Sequence, residues 1–141
     1  MGSNQKQLLS TLWIFLLGNY LYCDVLSLMD PKFLRVMLAG GPPGMPMTES
    51  FLLGAGILME IPIAMLLVSR VVGERTNRWL NMIAGTVMGL VQIGSLFFGT
   101  GPTAHYWFYS AIEVATAFAI VVVAWKWRPA PTTDLQGTAG A

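Results

Sequence analysis

Three carboxylic acids stand inside apolar runs of this chain: Asp24, Glu60 and Glu113. An ionised carboxylate at the centre of a membrane-spanning helix costs about 2.5–3.5 kcal/mol even on the lenient insertion scale. Each such acid therefore needs a proton, a partner or access to water. Glu60 is the extreme case, being the single ionisable group in the run Phe51 to Ser69, FLLGAGILMEIPIAMLLVS. A run of that length and composition crosses the hydrocarbon as a helix. Pro62 follows two residues later; it lacks an N–H, so carbonyls near Met59 are expected to lose their helical partners. A carboxyl group beside freed carbonyls at mid-bilayer depth is the pattern of a proton, cation or small-ligand site.

Composition places these acids in a membrane protein. Of 141 residues, 55% are hydrophobic and only 11% are charged, where a soluble domain carries about 25%. The net charge of +1 argues against a nucleic-acid partner, for which a clustered basic face is expected. One cysteine, Cys23, excludes an internal disulfide, and no Cys/His spacing resembles a metal site; neither metal nor cofactor is expected. The N-terminal run Leu8 to Leu17 follows Lys6 as in a signal peptide, but Asn19-Tyr20-Leu21-Tyr22 offers no small-residue cleavage site. The segment is read as retained.

The elements that must position the acids follow from the breakers. The fold class is all-α, an antiparallel bundle of four transmembrane helices with a short interfacial helix between helices 1 and 2. The spans are expected at about 8–29, 51–70, 78–98 and 106–126, within a single domain over 1–127; 128–141 is Pro/Thr/Gly-rich and expected to be disordered. Asp30-Pro31 ends the first helix. Pro31 to Ala39 is amphipathic, with Phe33, Val36 and Met37 on one side and Lys32 and Arg35 free to reach water, which suits a helix in the headgroup layer. Gly40 to Pro46 is a tight linker, and Thr48-Glu49-Ser50 supplies cap residues for the second span. In the third span Asn81, Gly85, Gly89 and Gln92 form one stripe, and Gly85-x-x-x-Gly89 is a close-packing signature. In the fourth, Tyr106, Ser110, Glu113 and Ala117 share a face, with Trp107 and Trp125/Trp127 bracketing the helix as an aromatic belt.

Four spans put both termini on one side. That side carries Lys6, Arg70, Arg75, Arg78, Lys126 and Arg128, against Lys32 and Arg35 on the other. Excess Lys/Arg keeps short loops cytoplasmic, so both termini are expected inside a cell membrane, the inner or plasma membrane. At 1.5 Å per residue, Asp24, Gln92 and Glu113 then lie about 8, 9 and 10 Å below the outer ends of their helices, and Glu60 about 14 Å. Each span thus offers a polar side chain to the outer half of the bundle. With no Lys or Arg at that depth, three carboxyls sharing a low-dielectric site cannot all ionise. The candidate ligand- or proton-binding residues are Glu60, Glu113, Asp24, Gln92, Asn19 and Tyr20. Tyr20, Tyr22, Tyr106 and Tyr109 are placed to complete hydrogen bonds to the acids, or to serve as interface aromatics. His105 is read as a solvated loop residue.

The run Asn19-Tyr20-Leu21-Tyr22-Cys23-Asp24-Val25-Leu26-Ser27-Leu28-Met29-Asp30-Pro31, with Leu52-Leu53-Gly54-Ala55, Met59-Glu60-Ile61-Pro62, Asn77-Arg78-Trp79 and Glu113, resembles an uncharacterised family of small bacterial and archaeal four-helix membrane proteins. The resemblance covers about residues 8 to 127; it implies a fold class and no activity. A looser likeness to the DoxX-like membrane proteins rests on size and topology. Small multidrug transporters place a single glutamate in helix one, which this chain does not.

Three functions are compatible with this pattern. The first is a small carrier binding or transporting a small molecule, proton or cation, working as a homo-oligomer through Gly85 and Gly89. The second is a membrane enzyme acting on a lipid or other hydrophobic molecule, with Glu60 and Glu113 as a general acid/base pair. The third is an accessory subunit whose polar face is covered by a larger complex, its acids serving as interhelical hydrogen bonds of about 0.6 kcal/mol each.

Overall fold

The computed structural model describes residues 2–97 and 101–128. Among them all regular structure is helical: α1 (Gly2–Met29), α2 (Pro31–Leu38), α3 (Glu49–Val71), α4 (Glu74–Ser95) and α5 (Ala104–Lys126). The expected helix end at Phe98 and the tail beyond Arg128 lie outside the described residues.

Local chemistry sets most of the boundaries. α1 starts at Gly2 rather than at the apolar run, because Asn4-Gln5-Lys6-Gln7 contains no helix breaker. It stops before Asp30, which caps α2 instead: the Asp30 carboxylate accepts from the Lys32 N–H at 2.9 Å, and Pro31 occupies the first helical position. After α2 the chain turns back through Gly40 and Gly41 at φ +104° and +102°, a region closed to residues with a Cβ. Thr48 caps α3 by accepting from the Phe51 N–H at 3.2 Å. α4 starts at Glu74, so the connection expected between the spans 51–70 and 78–98 shrinks to Val72-Gly73.

The four long helices pack in a ring. α4 lies along α5, α5 along α1 and α1 along α3; α3 meets α4 less extensively, and α3 and α5 do not pack together. α2 touches α1 alone. The end that holds the start of α1, the α3–α4 turn and the end of α5 carries the Lys/Arg excess and is called the basic end here; the other is the α2 end.

The core runs through Leu9, Trp13, Leu16 and Tyr20 of α1, Met65 of α3, Ala84 and Met88 of α4, and Ala117, Ile120 and Ala124 of α5. Trp127 belongs to this core, 4% exposed, rather than to an aromatic belt; Trp107 and Trp125 are exposed as a belt requires. Large apolar side chains cover the outside, among them Leu21, Leu53, Leu67, Leu90 and Phe118. An apolar exterior of that extent marks a surface that meets lipid or protein rather than water.

Three helices are long and apolar enough to cross a membrane: α1, α3 and α5. α4 is not, where four transmembrane helices are expected from the sequence. Its hydropathy is lowered by Glu74, Arg75 and Arg78 at its start and by Asn77, Asn81 and Gln92, which it buries inward. Its outward face is nonetheless apolar, with Trp79, Leu80, Ile83, Val87, Leu90 and Ile93 exposed.

Gly85 and Gly89 are already used within the chain. A Cβ on Gly85 would lie 3.0 Å from Cγ2 of Val121 and 3.3 Å from the Ala117 carbonyl oxygen; one on Gly89 would lie 3.5 Å from Cβ of Ala117. The glycine stripe thus seats α4 against α5, and the expected surface for a second copy at Gly85 and Gly89 is occupied.

Candidate functional site

Two groups of polar side chains lie between the helices. The first, toward the basic end, is built on Asn81. Its amide oxygen accepts from the Trp13 indole N–H at 2.7 Å and from the Ser69 hydroxyl at 3.2 Å. Its NH2 group donates to the Asn77 carbonyl at 2.9 Å and to the Asn77 amide oxygen at 2.6 Å. Asn77 in turn donates to the Ser69 carbonyl at 2.6 Å. Asn81 thus makes the four hydrogen bonds an asparagine can make, all in the buried interior. Beside it, Arg70 donates to Ser10 at 2.9 Å, and Ser10 donates to the Leu66 carbonyl at 3.1 Å. Arg78 caps α5, donating to the carbonyls of Ala124 and Trp125 at 3.2 Å each. These contacts tie α1, α3, α4 and α5 together and use the whole hydrogen-bonding capacity of Asn81; at the same end the buried Gln5 amide oxygen has no partner among the described residues.

The second group lies toward the α2 end and is centred on Glu113. Helical periodicity stacks Ser110, Glu113 and Ala117 on the buried face of α5, with Tyr106 half-buried a turn away. Glu113 is 1% exposed. Among the described residues neither of its carboxyl oxygens has a hydrogen-bond partner, and the buried Tyr20 hydroxyl on α1 has none either. Tyr20, Cys23, Asp24 and Tyr106 lie within electrostatic range of Glu113. The remaining polar groups there are paired among themselves. Gln92 donates to Ser110 at 2.8 Å, Ser95 to the Gln92 carbonyl at 2.7 Å, and Tyr106 to Ser95 at 2.7 Å. His105, in the first turn of α5, contacts Ser27 of α1 at 3.3 Å and Thr103 at 3.0 Å, closing the α2 end of the α1–α5 seam.

A carboxyl group buried without a donor is costly, because burial removes the water that solvated it and nothing replaces that water. The cost falls when the group takes up a proton or a cation. What this arrangement can do chemically is hold such a species.

The six expected site residues separate accordingly. Glu113, Tyr20 and Gln92 are buried together between α1, α4 and α5. Asp24 is exposed at the rim of that group, one position beyond the buried Cys23. Asn19 turns back on its own helix and donates to the Phe15 carbonyl at 2.8 Å. Glu60 does not join them: it is exposed on α3, a helix that does not pack against α5. Successive residues are about 100° apart on a helix, so Glu60 and Pro62 differ by about 200° and face opposite ways. Pro62 is the buried one, and the carbonyl it leaves free, that of Leu58, lies on the Pro62 side. Among the described residues no three His, Cys, Asp or Glu side chains converge closely enough to hold a metal ion.

Trp13, Ser10 and Ser69 carry the first network although they look unremarkable in sequence; Ser10 and Trp13 are three apart, and Asn77 and Asn81 four apart, which is the available signal. An open apolar groove of about 480 Å³ runs between α4 and α5 on the outside, lined by Ile93, Trp107 and Phe118 among others, with Ser110 the only polar side chain in it.

No curated protein and no solved structure matches this chain, and the likeness to DoxX-like proteins finds no support. The model of one protein family, described as a family of unknown function (DUF6326), matches residues 1–133. With that match spanning nearly its whole length, the chain belongs to the DUF6326 family.

Proposed function

We propose that this chain is an integral membrane protein whose buried Glu113 reversibly binds a proton or a small cation. The observation that carries the reading is the Glu113 carboxyl, enclosed between α1, α4 and α5 with both oxygens unpartnered among the described residues, and with the unpartnered Tyr20 hydroxyl within electrostatic range. Intramembrane acids are functional groups by default, and a purely structural acid would have been given donors, as Asn81 has been given partners. Gln92, Ser110 and Tyr106 border the site, and exposed Asp24 marks its approach from the α2 end.

On this reading all four long helices cross the bilayer. α4 does so because its polar residues face inward and its lipid face is apolar. The basic end, with six Lys/Arg against Lys32 and Arg35 at the α2 end, is cytoplasmic, and both termini with it. α2 lies in the opposite headgroup layer, a position its amphipathic sequence suits. Against the enzyme reading stands the separation of its acid/base pair: Glu60 is exposed on α3, Glu113 is buried on α5, and the two helices make no close backbone approach.

Infrared difference spectroscopy on the full chain in lipid nanodiscs tests the proposal. Stepping the pH, or adding sodium or potassium chloride at fixed pH, should produce a carboxyl difference band. That band should vanish in Glu113→Gln and persist in Glu60→Gln. A spectrum in which Glu113→Gln changes nothing overturns the assignment.

A further inference from the structure

Glu60 poses a different problem from Glu113 and is independent of it. α3 buries only Pro62, Met65 and Ser69; the opposite face is open. Along that open face run Leu53, Gly56, Glu60, Ala64 and Leu67, at the spacing of one helical stripe. Leu53 and Leu67 are 66% and 68% exposed, and nothing approaches the Gly56 Cα within 4 Å of where a Cβ would stand. Glu60 lies eleven residues from Glu49, about 16 Å along the axis, in the middle of the span. Three other polar side chains on the outside of the long helices are satisfied by their own helices. Thr11 donates to the Gln7 carbonyl, Asn19 to that of Phe15, and Thr86 to that of Met82. Glu60 makes no such bond, and no Lys or Arg of the chain lies at its depth, all eight being near helix ends or in the segments beyond them.

A carboxyl group in mid-bilayer cannot be satisfied by acyl chains, so the face that carries it must be covered by protein. We infer that the Glu60 face of α3 is the contact between two copies of this chain, with α3 of each lying against α3 of the other and the two Glu60 carboxyl groups meeting on the two-fold axis.

Three observations favour a second copy over other occupants. In a two-fold pair of parallel helices each residue meets its own counterpart at its own depth. A carboxylic acid is one of the few side chains that satisfies itself in that position, the O–H of one donating to the C=O of the other. Gly56 and Ala64, one turn to either side of Glu60, are small enough to let the helix axes approach while Leu53 and Leu67 pack outside them. Finally, α3 is the least enclosed member of the ring, packed against α1 on one side and only weakly against α4 on the other. The Gly85/Gly89 stripe offers no competing surface, since α5 fills it.

Oxidative cross-linking of the purified full chain in phosphatidylcholine nanodiscs tests this directly. Single cysteines are placed at Ile57 and at Leu67, both exposed on α3, with Phe118→Cys on the exposed face of α5 as control; the unaltered chain reports any contribution from buried Cys23. The two α3 positions should give a covalent dimer at least about tenfold more abundant than Phe118→Cys or the unaltered chain, a ratio that corresponds to a specific preference. Adding Gly56→Leu to Leu67→Cys should remove that dimer while circular dichroism shows the helices intact. Adding Glu60→Gln should leave it, since a carboxamide also pairs with itself. Equal cross-linking from Phe118→Cys would overturn the interface. So would absence of a dimer at both α3 positions, because the cover of Glu60 would then be a different protein.

Discussion

The two polar groups inside this molecule are built from similar material and end in opposite states. Toward the basic end, Asn81, Asn77, Ser69 and Trp13 consume one another's hydrogen-bonding capacity. Toward the α2 end, the bonds among Gln92, Ser110, Ser95 and Tyr106 stop short of Glu113 and Tyr20. A saturated network in a low-dielectric interior rigidifies and specifies a packing. An unsaturated one is stable only if a proton or ligand completes it. On the proposed function the contrast is one between scaffold and site.

The largest effect should come from breaking the saturated group. Asn81→Leu orphans the Trp13 N–H, the Ser69 hydroxyl and the Asn77 acceptors together. With each unsatisfied buried group costing about 1–3 kcal/mol, the loss should reach about 3 kcal/mol or more, read as the lowest thermal midpoint of the series by circular dichroism in detergent. A midpoint equal to that of the native chain would show that the network is not what holds α1, α3 and α4 in register.

Gly85→Leu is expected next. The new side chain must displace Val121 and the Ala117 carbonyl, which already stand 3.0 and 3.3 Å from an ideal Cβ. Overpacking of this kind costs about 1–3 kcal/mol, again visible in the thermal midpoint. Self-association measured by light scattering should stay unchanged, because this stripe lies inside the chain.

The third variant turns to the unsaturated group. Glu113→Leu removes a buried carboxyl that has no partner to orphan, so stability should change by no more than about 1 kcal/mol and in the favourable direction. The carboxyl difference band should disappear with it. A loss as large as that of Asn81→Leu would mean that Glu113 is held by the fold after all, and the comparison would fail.

How much of this was legible in the sequence depends on amphipathicity. α4 places its polar and small residues at helical spacing, so the inward stripe Asn81, Gly85, Gly89, Gln92 could be read directly, and each of the four is buried or half-buried as that stripe requires. The same holds for Ser110, Glu113 and Ala117 on α5 and for the cap at Thr48. α3 is apolar on every side, so periodicity could not say which way Glu60 faces; its proximity to Pro62 pointed inward, whereas about 200° of helix rotation turns it outward. Trp13 was invisible for a related reason: an indole in an apolar run reads as core, and its N–H partner is 68 residues away. The order of helices around the ring, which separates Glu60 from Glu113, is a tertiary property that no local pattern carries.

Tyr20→Phe is the smallest expected effect and the finest test of the contrast. The Tyr20 ring is part of the core at 6% exposure, and its hydroxyl has no partner. Phenylalanine keeps the ring and removes only the oxygen. Were the hydroxyl part of a completed network, its removal would cost the usual net value of a hydrogen bond, about 1 kcal/mol. Since it is unpaired, the thermal midpoint should move by the equivalent of less than about 0.5 kcal/mol, with no loss of helix, as for surface substitutions away from special features. The ligand-linked readout should behave differently. If the hydroxyl lies beside the carboxyl to help hold what Glu113 binds, Tyr20→Phe should shift the Glu113 carboxyl band and the salt or pH step at which it appears. Unchanged stability with a displaced band would assign Tyr20 to the site. Lower stability with an unchanged band would assign it to the scaffold, and the line drawn between the two polar groups would have to move to leave Glu113 alone on the unsaturated side.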